Sequence, residues 1–207
     1  TYEKKAEMYS RMHGNVSFAG GGEYGDLLNG CREVGMLPDV TYPGLNYGEI
    51  KHNHGEMDAA LKGFMDGVIK GSKLTTAWFA GLNGILDAYL GKIPESFTYE
   101  SKTFTPGSFM KELGINPDDY VLITSFSHHP FYKQFVLEVP DNWAAGSFYN
   151  LPLDEFMQVI DNSVMNGYSV GWASDMSDKG FSMKQGVAII PEKNWNEMSE
   201  EETSKIF

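Results

Sequence analysis

Two neighbouring stretches constrain the fold more than anything else in this chain: residues 56–71, EMDAALKGFMDGVIKG, and residues 75–90, TTAWFAGLNGILDAYL. Met57, Ala60, Leu61, Phe64, Met65 and Val68 recur at the spacing of one helical face, and so do Trp78, Leu82, Ile85, Leu86 and Tyr89. Only a few residues separate the two runs, so the spacing predicts a packed helical hairpin. Around it the pattern predicts a helix over 2–12 that stops at Gly14, and a short helix over 106–113. It also predicts a helix carrying Leu27, Leu28, Cys31 and Val34 on its inward face, with Gly35 as its C-terminal cap. Residues 120–126, 134–139, 168–174 and 186–191 are rich in β-branched and aromatic side chains and read as strands. A helix over 151–167 interrupts them, with Phe156, Val159, Ile160 and Val164 forming its apolar face. Helices first and strands later, without βα alternation, give an α+β fold.

Charge and composition exclude several function classes. A formal net charge of −12 with only two arginines, Arg11 and Arg32, argues against a nucleic-acid partner, because phosphate recognition needs clustered cations. No apolar run reaches the length of a membrane span, so no membrane partner is expected. The single cysteine excludes an internal disulfide and a C-x-x-C metal knuckle, and leaves the compartment open between cytoplasm and a secreted or periplasmic location. The start, TYEKKAEMYSRM, has no initiator Met and no basic stub before an apolar segment; it is expected to lie inside a longer polypeptide. Near the other end, Ser199 and Glu202 are spaced as a capping box that opens a helix.

The motifs that suggest chemistry each have a plainer reading. Gly20, Gly22 and Gly25 spell G-x-G-x-x-G, but NVSFA before them is a poor strand. No second β-run ending in an acidic residue follows at dinucleotide-site spacing. The preferred reading is that these glycines permit unusual dihedrals or a close backbone approach. Cys31 sits mid-helix and is expected to be core packing rather than a nucleophile. His52, His54 and Glu56 in KHNHGE resemble a ligand cluster; the favoured reading makes the histidines cap or surface groups, with metal binding left open. His128 and His129 lie at a strand end before Pro130, where an imidazole can serve as general base, yet no partner nucleophile is apparent. Asp118/Asp119 and Asp175/Asp178 read as solvated turn residues. No metal site and no cofactor is assigned.

Several long, ordered stretches together resemble the aminopeptidase C / bleomycin hydrolase branch of the papain-like cysteine peptidases: MHGNVSFAGGGEYGDLLNGCREVGMLPDVTYPGLNYGE, HGEMDAALKGFMDGVIKG, AWFAGLNGILDAYLG, DDYVLITSFSHHPFYKQFVLEVPDNW and YNLPLDEFMQVIDNSVMNGYSVGWASDMSDKGFS. The resemblance implies a partial papain-like fold in which a helical insertion separates two halves. Residues 1–50 would belong to the helical half, 51–116 to the insertion, and 117–207 to the start of the β-rich half. It also implies a cysteine-type aminopeptidase whose Gly21–Gly22 backbone forms a wall for an extended peptide substrate. Tyr24 would border the pocket for the substrate's second residue, and Gly171 would lie at the floor of that pocket. The family's Q-x-x-x-x-x-C-W, H-A/G-M and N-S-W-G signatures do not occur here, so no catalytic residue is expected in this chain, and Cys31 matches none of them. The partners implied are peptide substrate, the remaining segments of the same polypeptide, and further copies in a homo-oligomer. A peptide-binding module of the same fold, without catalysis, is the alternative.

Overall fold

A computed structural model of the chain describes residues 1–71, 73–173, 180–189, 193, 197–199 and 201–202. They fall into two compact units, Thr1–Tyr168 and Ser169–Phe207. In the first unit α1 (Tyr2–Arg11), α2 (Tyr24–Glu33), α3 (Gly55–Ile69), α4 (Ala77–Leu90) and α5 (Pro106–Glu112) stand where the apolar spacing places them. The α3–α4 hairpin is the core. Met57, Leu61 and Met65 on α3 and Leu82 on α4 are each 1% exposed or less, and Ala6, Tyr9 and Phe18 close the cluster from the α1 side. Truncating Leu61 or Leu82 to alanine is expected to cost about 2–5 kcal/mol, the range for a fully buried leucine. No helix among the described residues is long and apolar enough to cross a membrane.

The second helix departs from expectation in its packing. Cys31 is buried, but Leu27 and Val34 are 61% and 49% exposed, so the inward face is narrower than the apolar spacing suggests. Beyond α2 the Gly35 amide donates to the Cys31 carbonyl, the cap expected of it. Arg32 ties α2 to the 3-10 turn Pro117–Asp119, with its Nε on Asp118 Oδ1 at 2.9 Å and its Nη2 on the Pro117 carbonyl at 3.1 Å.

Strands appear where no periodicity announced them. β1 (Phe97–Tyr99) and β2 (Lys102–Phe104) form an antiparallel hairpin whose turn residues Glu100 and Ser101 both have positive φ, 46° and 65°. That is the geometry of a two-residue primed turn, here without the Asn-Gly that usually signals it. Phe97, Tyr99, Phe104 and Phe109 of α5 pack into one aromatic cluster. β5 (Ser147–Asn150) is the centre of a three-stranded sheet, parallel to β3 (Ile123–Thr124) and antiparallel to β4 (Gln134–Val136).

Two buried asparagines fasten the loops of this sheet. Asn150, 0% exposed, accepts from the Phe126 amide and donates to the Phe126 and His129 carbonyls at 2.8 and 3.0 Å. Asn142, 8% exposed, donates to the Leu137 and Gly146 carbonyls and accepts from the Gly146 amide, each at 2.8 Å. A side-chain amide that satisfies three or more backbone groups holds a loop as firmly as a strand ladder would. The first latch sets the 126–130 loop, and the second sets the turn that carries Asp141 and Trp143.

α6 (Leu153–Met165) forms as the pattern predicts, but its apolar face is only partly covered: no residue is buried, Val159 and Val164 are 42% and 58% exposed, and Phe156 and Ile160 are half-buried. In the second unit, β6 (Phe181–Ser182) and β7 (Val187–Ala188) form a short antiparallel hairpin. The strand expected over 168–174 is absent from its described part, since residues 168–173 carry no regular structure; Ser174 lies outside the described residues. The Asp175/Asp178 pair also lies outside them. The Ser199–Glu202 capping box forms as expected: the Ser199 amide donates to Glu202 at 2.9 Å, and the Glu202 amide to Ser199 Oγ at 3.2 Å.

Candidate functional site

The glycine loop lies between α1 and α2. Gly21 has φ +89°, a conformation that side chains resist, and a Cβ on Gly22 would sit 2.7 Å from Asp26 Oδ2 and 3.4 Å from Trp143 Nε1. A side chain would be strained at Gly21 by its φ, and at Gly22 by a φ of +155° and the nearby Asp26 carboxylate. The Gly22 amide and carbonyl make no hydrogen bond among the described residues, and both glycines are exposed. A bare, unpaired stretch of backbone is what an extended peptide needs for strand-like pairing.

The rail is held from beneath by Lys5. This lysine, 6% exposed on α1, donates to the Ala19 carbonyl at 2.8 Å and the Gly21 carbonyl at 2.7 Å, with a longer contact to Gly20 at 3.5 Å. The Gly21 carbonyl is thus already taken, and the open groups are the Gly21 amide and both backbone groups of Gly22. Burial pulls the Lys5 ammonium below the ordinary lysine range, while Asp26, Asp141 and Asp58 push it back up. Its Nζ also lies 5.5 Å from the centre of the Trp143 ring, whose own indole nitrogen is buried without a hydrogen-bond partner among the described residues. Behind Gly20, Tyr2 donates to Asp58 at 2.5 Å; burial, then this hydrogen bond, raises the phenol's pKa well above its usual value.

The start of α2 is acidic. Glu23 is its N-cap, and the Glu23 amide donates to Asp26 Oδ2 at 3.0 Å. Burial raises the Glu23 carboxyl above the usual glutamate range, helped by the neighbouring charges of Asp141 and Asp26. Helix N-termini attract anions, but this one is answered by its own carboxylates. The position is unfavourable for a phosphate.

The other sequence candidates separate clearly. Tyr24 is the first residue of α2, 40% exposed, next to the rail. Gly171 lies in the second unit, within the irregular residues 168–173. Cys31 is a free, buried thiol with no side-chain hydrogen bond to a histidine among the described residues, in keeping with core packing. His54 occupies the N-cap position of α3 and Asn53 Oδ1 accepts from the Gly55 amide, the helix opening expected there. Glu56 accepts from Tyr89 at 2.7 Å, and the three atoms of His52, His54 and Glu56 do not converge. His128 and His129 do meet a carboxylate: both Nε2 atoms face Glu138 Oε2, at 3.3 and 3.1 Å. Hydrogen bonding from His129, then His128, holds the Glu138 carboxyl below the ordinary range.

Sequence reasoning passed over Lys5, Asp141 and Trp143. A signal existed for one of them: Lys5 is the cation in the otherwise apolar and aromatic Tyr2, Ala6, Tyr9 face of α1. An open groove of about 570 Å³ lies beside the rail, between α1, Asp26, Asn29 and Trp143, but neither Gly21, Gly22 nor Tyr24 lines it.

No protein-family model and no curated protein matches the chain. Among solved structures, the crystal structure of PepW from Lactobacillus rhamnosis HN001 matches with a TM-score of 0.60 and 21% identity. The match covers 84% of this chain and 50% of PepW, so the chain spans about half of PepW's length. The mixed helix-and-sheet architecture is similar to that of PepW, a papain-like fold.

Proposed function

We propose that this chain is a segment of a cysteine-type aminopeptidase of the aminopeptidase C / bleomycin hydrolase kind, and that it supplies part of the wall against which a peptide substrate lies. The observation that carries the proposal is the exposed, unpaired backbone of Gly22, set by Lys5 and Trp143, in a chain whose fold is similar to that of PepW. In this reading the Gly21 amide and the Gly22 amide and carbonyl pair with the substrate backbone. Tyr24 borders the pocket for the substrate's second residue. Residues 1–50 belong to the helical half, 51–116 to an insertion, and 117–207 to the β-rich half.

The nucleophilic thiol, imidazole and asparagine come from the rest of the polypeptide. In the complete enzyme the thiolate attacks the peptide carbonyl, the imidazolium gives its proton to the departing amine, and water then cleaves the thioester. The exposed apolar face of α6 packs against those further segments or against other copies of the chain. This chain alone is expected to bind peptides without cleaving them.

The test has two parts. Titration with a tripeptide amide is expected to shift the tryptophan emission, since Trp143 lies against Gly22. Thiol-dependent hydrolysis of an aminoacyl amide by the same chain is expected to be absent. Hydrolysis by the chain alone overturns the placement of the catalytic groups, and failure to bind peptide overturns the rail. The alternative, a binding module of this fold without catalysis, shares both results. It separates when the complementary segments are added: restored hydrolysis supports the enzyme, and continued silence supports the module.

A further inference from the structure

We propose that His128, His129 and Glu138 form a binding site for one divalent transition-metal ion of the zinc class, outside the peptide wall. Among the described residues they are the one group of three or more His, Cys, Asp or Glu side chains whose ligand atoms gather, all within 4.8 Å of one another. The two distances to Glu138 fit a coordination sphere, and the third pair of ligand atoms lies within 4.8 Å. Zinc bonds of about 2.0–2.1 Å in a tetrahedron place neighbouring ligand atoms roughly 3.3 Å apart. The two imidazole Nε2 atoms stand 3.3 and 3.1 Å from Glu138 Oε2, so an ion can enter with little movement of the side chains.

The loop and rings of the site are also held from behind. Asn150, fully buried, holds the carbonyl of His129 and both backbone groups of Phe126, which fixes the loop carrying the histidines. Phe135 of β4 stacks on His129 with ring centres 3.9 Å apart and 20° between planes, and Phe126 meets His128 edge-on at 5.4 Å. The rings are thereby set in orientation before any ion arrives. Two imidazoles and one carboxylate favour zinc, cobalt, nickel or copper over magnesium or calcium, which take oxygen ligands. Glu138 and His128 are 66% and 57% exposed, leaving room for water to complete the sphere. The ion would join the β3–β4 connection to the segment after β4, bracing the edge of the sheet.

The experiment uses the whole chain at neutral pH, with Co²⁺ followed by its visible absorption and Zn²⁺ followed by calorimetry. The expected result is saturation at one equivalent and a cobalt spectrum of low coordination number. Glu138→Gln and His128→Gln are each expected to weaken binding by about tenfold or more. Both side chains are more than half exposed, so the fold should persist in both variants, which circular dichroism checks. A His52→Gln/His54→Gln double variant is expected to bind as the wild type does. Absence of stoichiometric binding, binding unchanged in Glu138→Gln and His128→Gln, or loss confined to the His52/His54 variant would each overturn the proposal.

Discussion

Replacing Lys5 with methionine tests whether the glycine rail is held from beneath. Methionine keeps most of the stem's volume in the buried site and deletes the ammonium. Two short hydrogen bonds are lost, to the carbonyls of Ala19 and Gly21, along with the weaker contact to Gly20. Hydrogen bonds to a charged group contribute about 1.5–3 kcal/mol each, and a carbonyl left buried and unpaired costs a similar amount. Stacking over Trp143 adds roughly 0.5–1 kcal/mol. Against this, methionine removes the desolvation of a buried cation, the same burial that pulls Lys5 below the usual lysine range. Because the Gly21 side of the loop is exposed, water recovers part of the loss. The net expectation is a destabilisation of about 2–4 kcal/mol. Urea unfolding followed by tryptophan emission should show a lower midpoint at unchanged slope. Peptide binding should weaken further at temperatures where the variant is still folded. A loss below about 0.5 kcal/mol, the range of an ordinary surface substitution, would refute the reasoning.

Gly22→Ala places a Cβ 2.7 Å from Asp26 Oδ2 and disturbs the N-cap bond to Glu23; a thermal melt should report about 1 kcal/mol of destabilisation. The tripeptide-amide titration should lose its response in that variant. Tyr2, its pKa raised by burial and by Asp58, keeps its proton in the folded state while the unfolded chain ionises near pH 10, so its contribution is whole below about pH 10 and is lost as pH rises beyond it. Lys5, shifted downward, acts in the opposite sense at high pH, so the comparison to make is the urea midpoint against pH for wild type and Tyr2→Phe, which should fall less steeply. The open face of α6 should make the isolated chain associate as its concentration rises, and Val159→Lys/Val164→Lys should suppress this in sedimentation velocity. A wild-type chain that sediments as a monomer throughout would count against that face having a partner.

What the sequence disclosed follows from which forces are local. α3 and α4 were readable because each repeats apolar residues at helical spacing over several turns, and burial of Met57, Leu61, Met65 and Leu82 agrees with that spacing. β1, β2 and β5 were not, because three- and four-residue strands hold too few alternations to register, and the Glu100–Ser101 turn lacks a turn-forming pair. α6 shows a further limit: periodicity tells which side of a helix is apolar, not whether anything covers it. The candidate site divides the same way. Gly21, Gly22 and Tyr24 sit in one local segment and are proposed from the resemblance. Lys5, Asp141 and Trp143 reach that segment from distant parts of the chain. His128 and His129 were visible as a pair, but Glu138 joins them only because the chain turns at residues 131–133 before β4 and runs back past them.

The G-x-G-x-x-G spacing gains a stronger physical argument from the structure than its missing strand supplied. A phosphate loop works by presenting unpaired amides and a helix N-terminus to an anion with no competing negative charge nearby. Here the first turn of α2 is capped by Glu23 and Asp26, Asp141 Oδ1 lies 3.4 Å from where a Gly21 side chain would begin, and the Lys5 ammonium faces the carbonyls from below. An incoming phosphate would meet carboxylates before it met amides. A peptide backbone brings no net charge and offers both a donor and an acceptor, which is what Gly22 leaves unpaired. The same acidic rim makes a second demand: a substrate carrying a cationic side chain near Gly22 should bind more tightly than one carrying an acidic side chain, with the difference shrinking as salt is added. Equal affinity for Lys- and Glu-bearing tripeptide amides at low salt would mean that Lys5 already neutralises the rim, and that the rail selects for backbone alone.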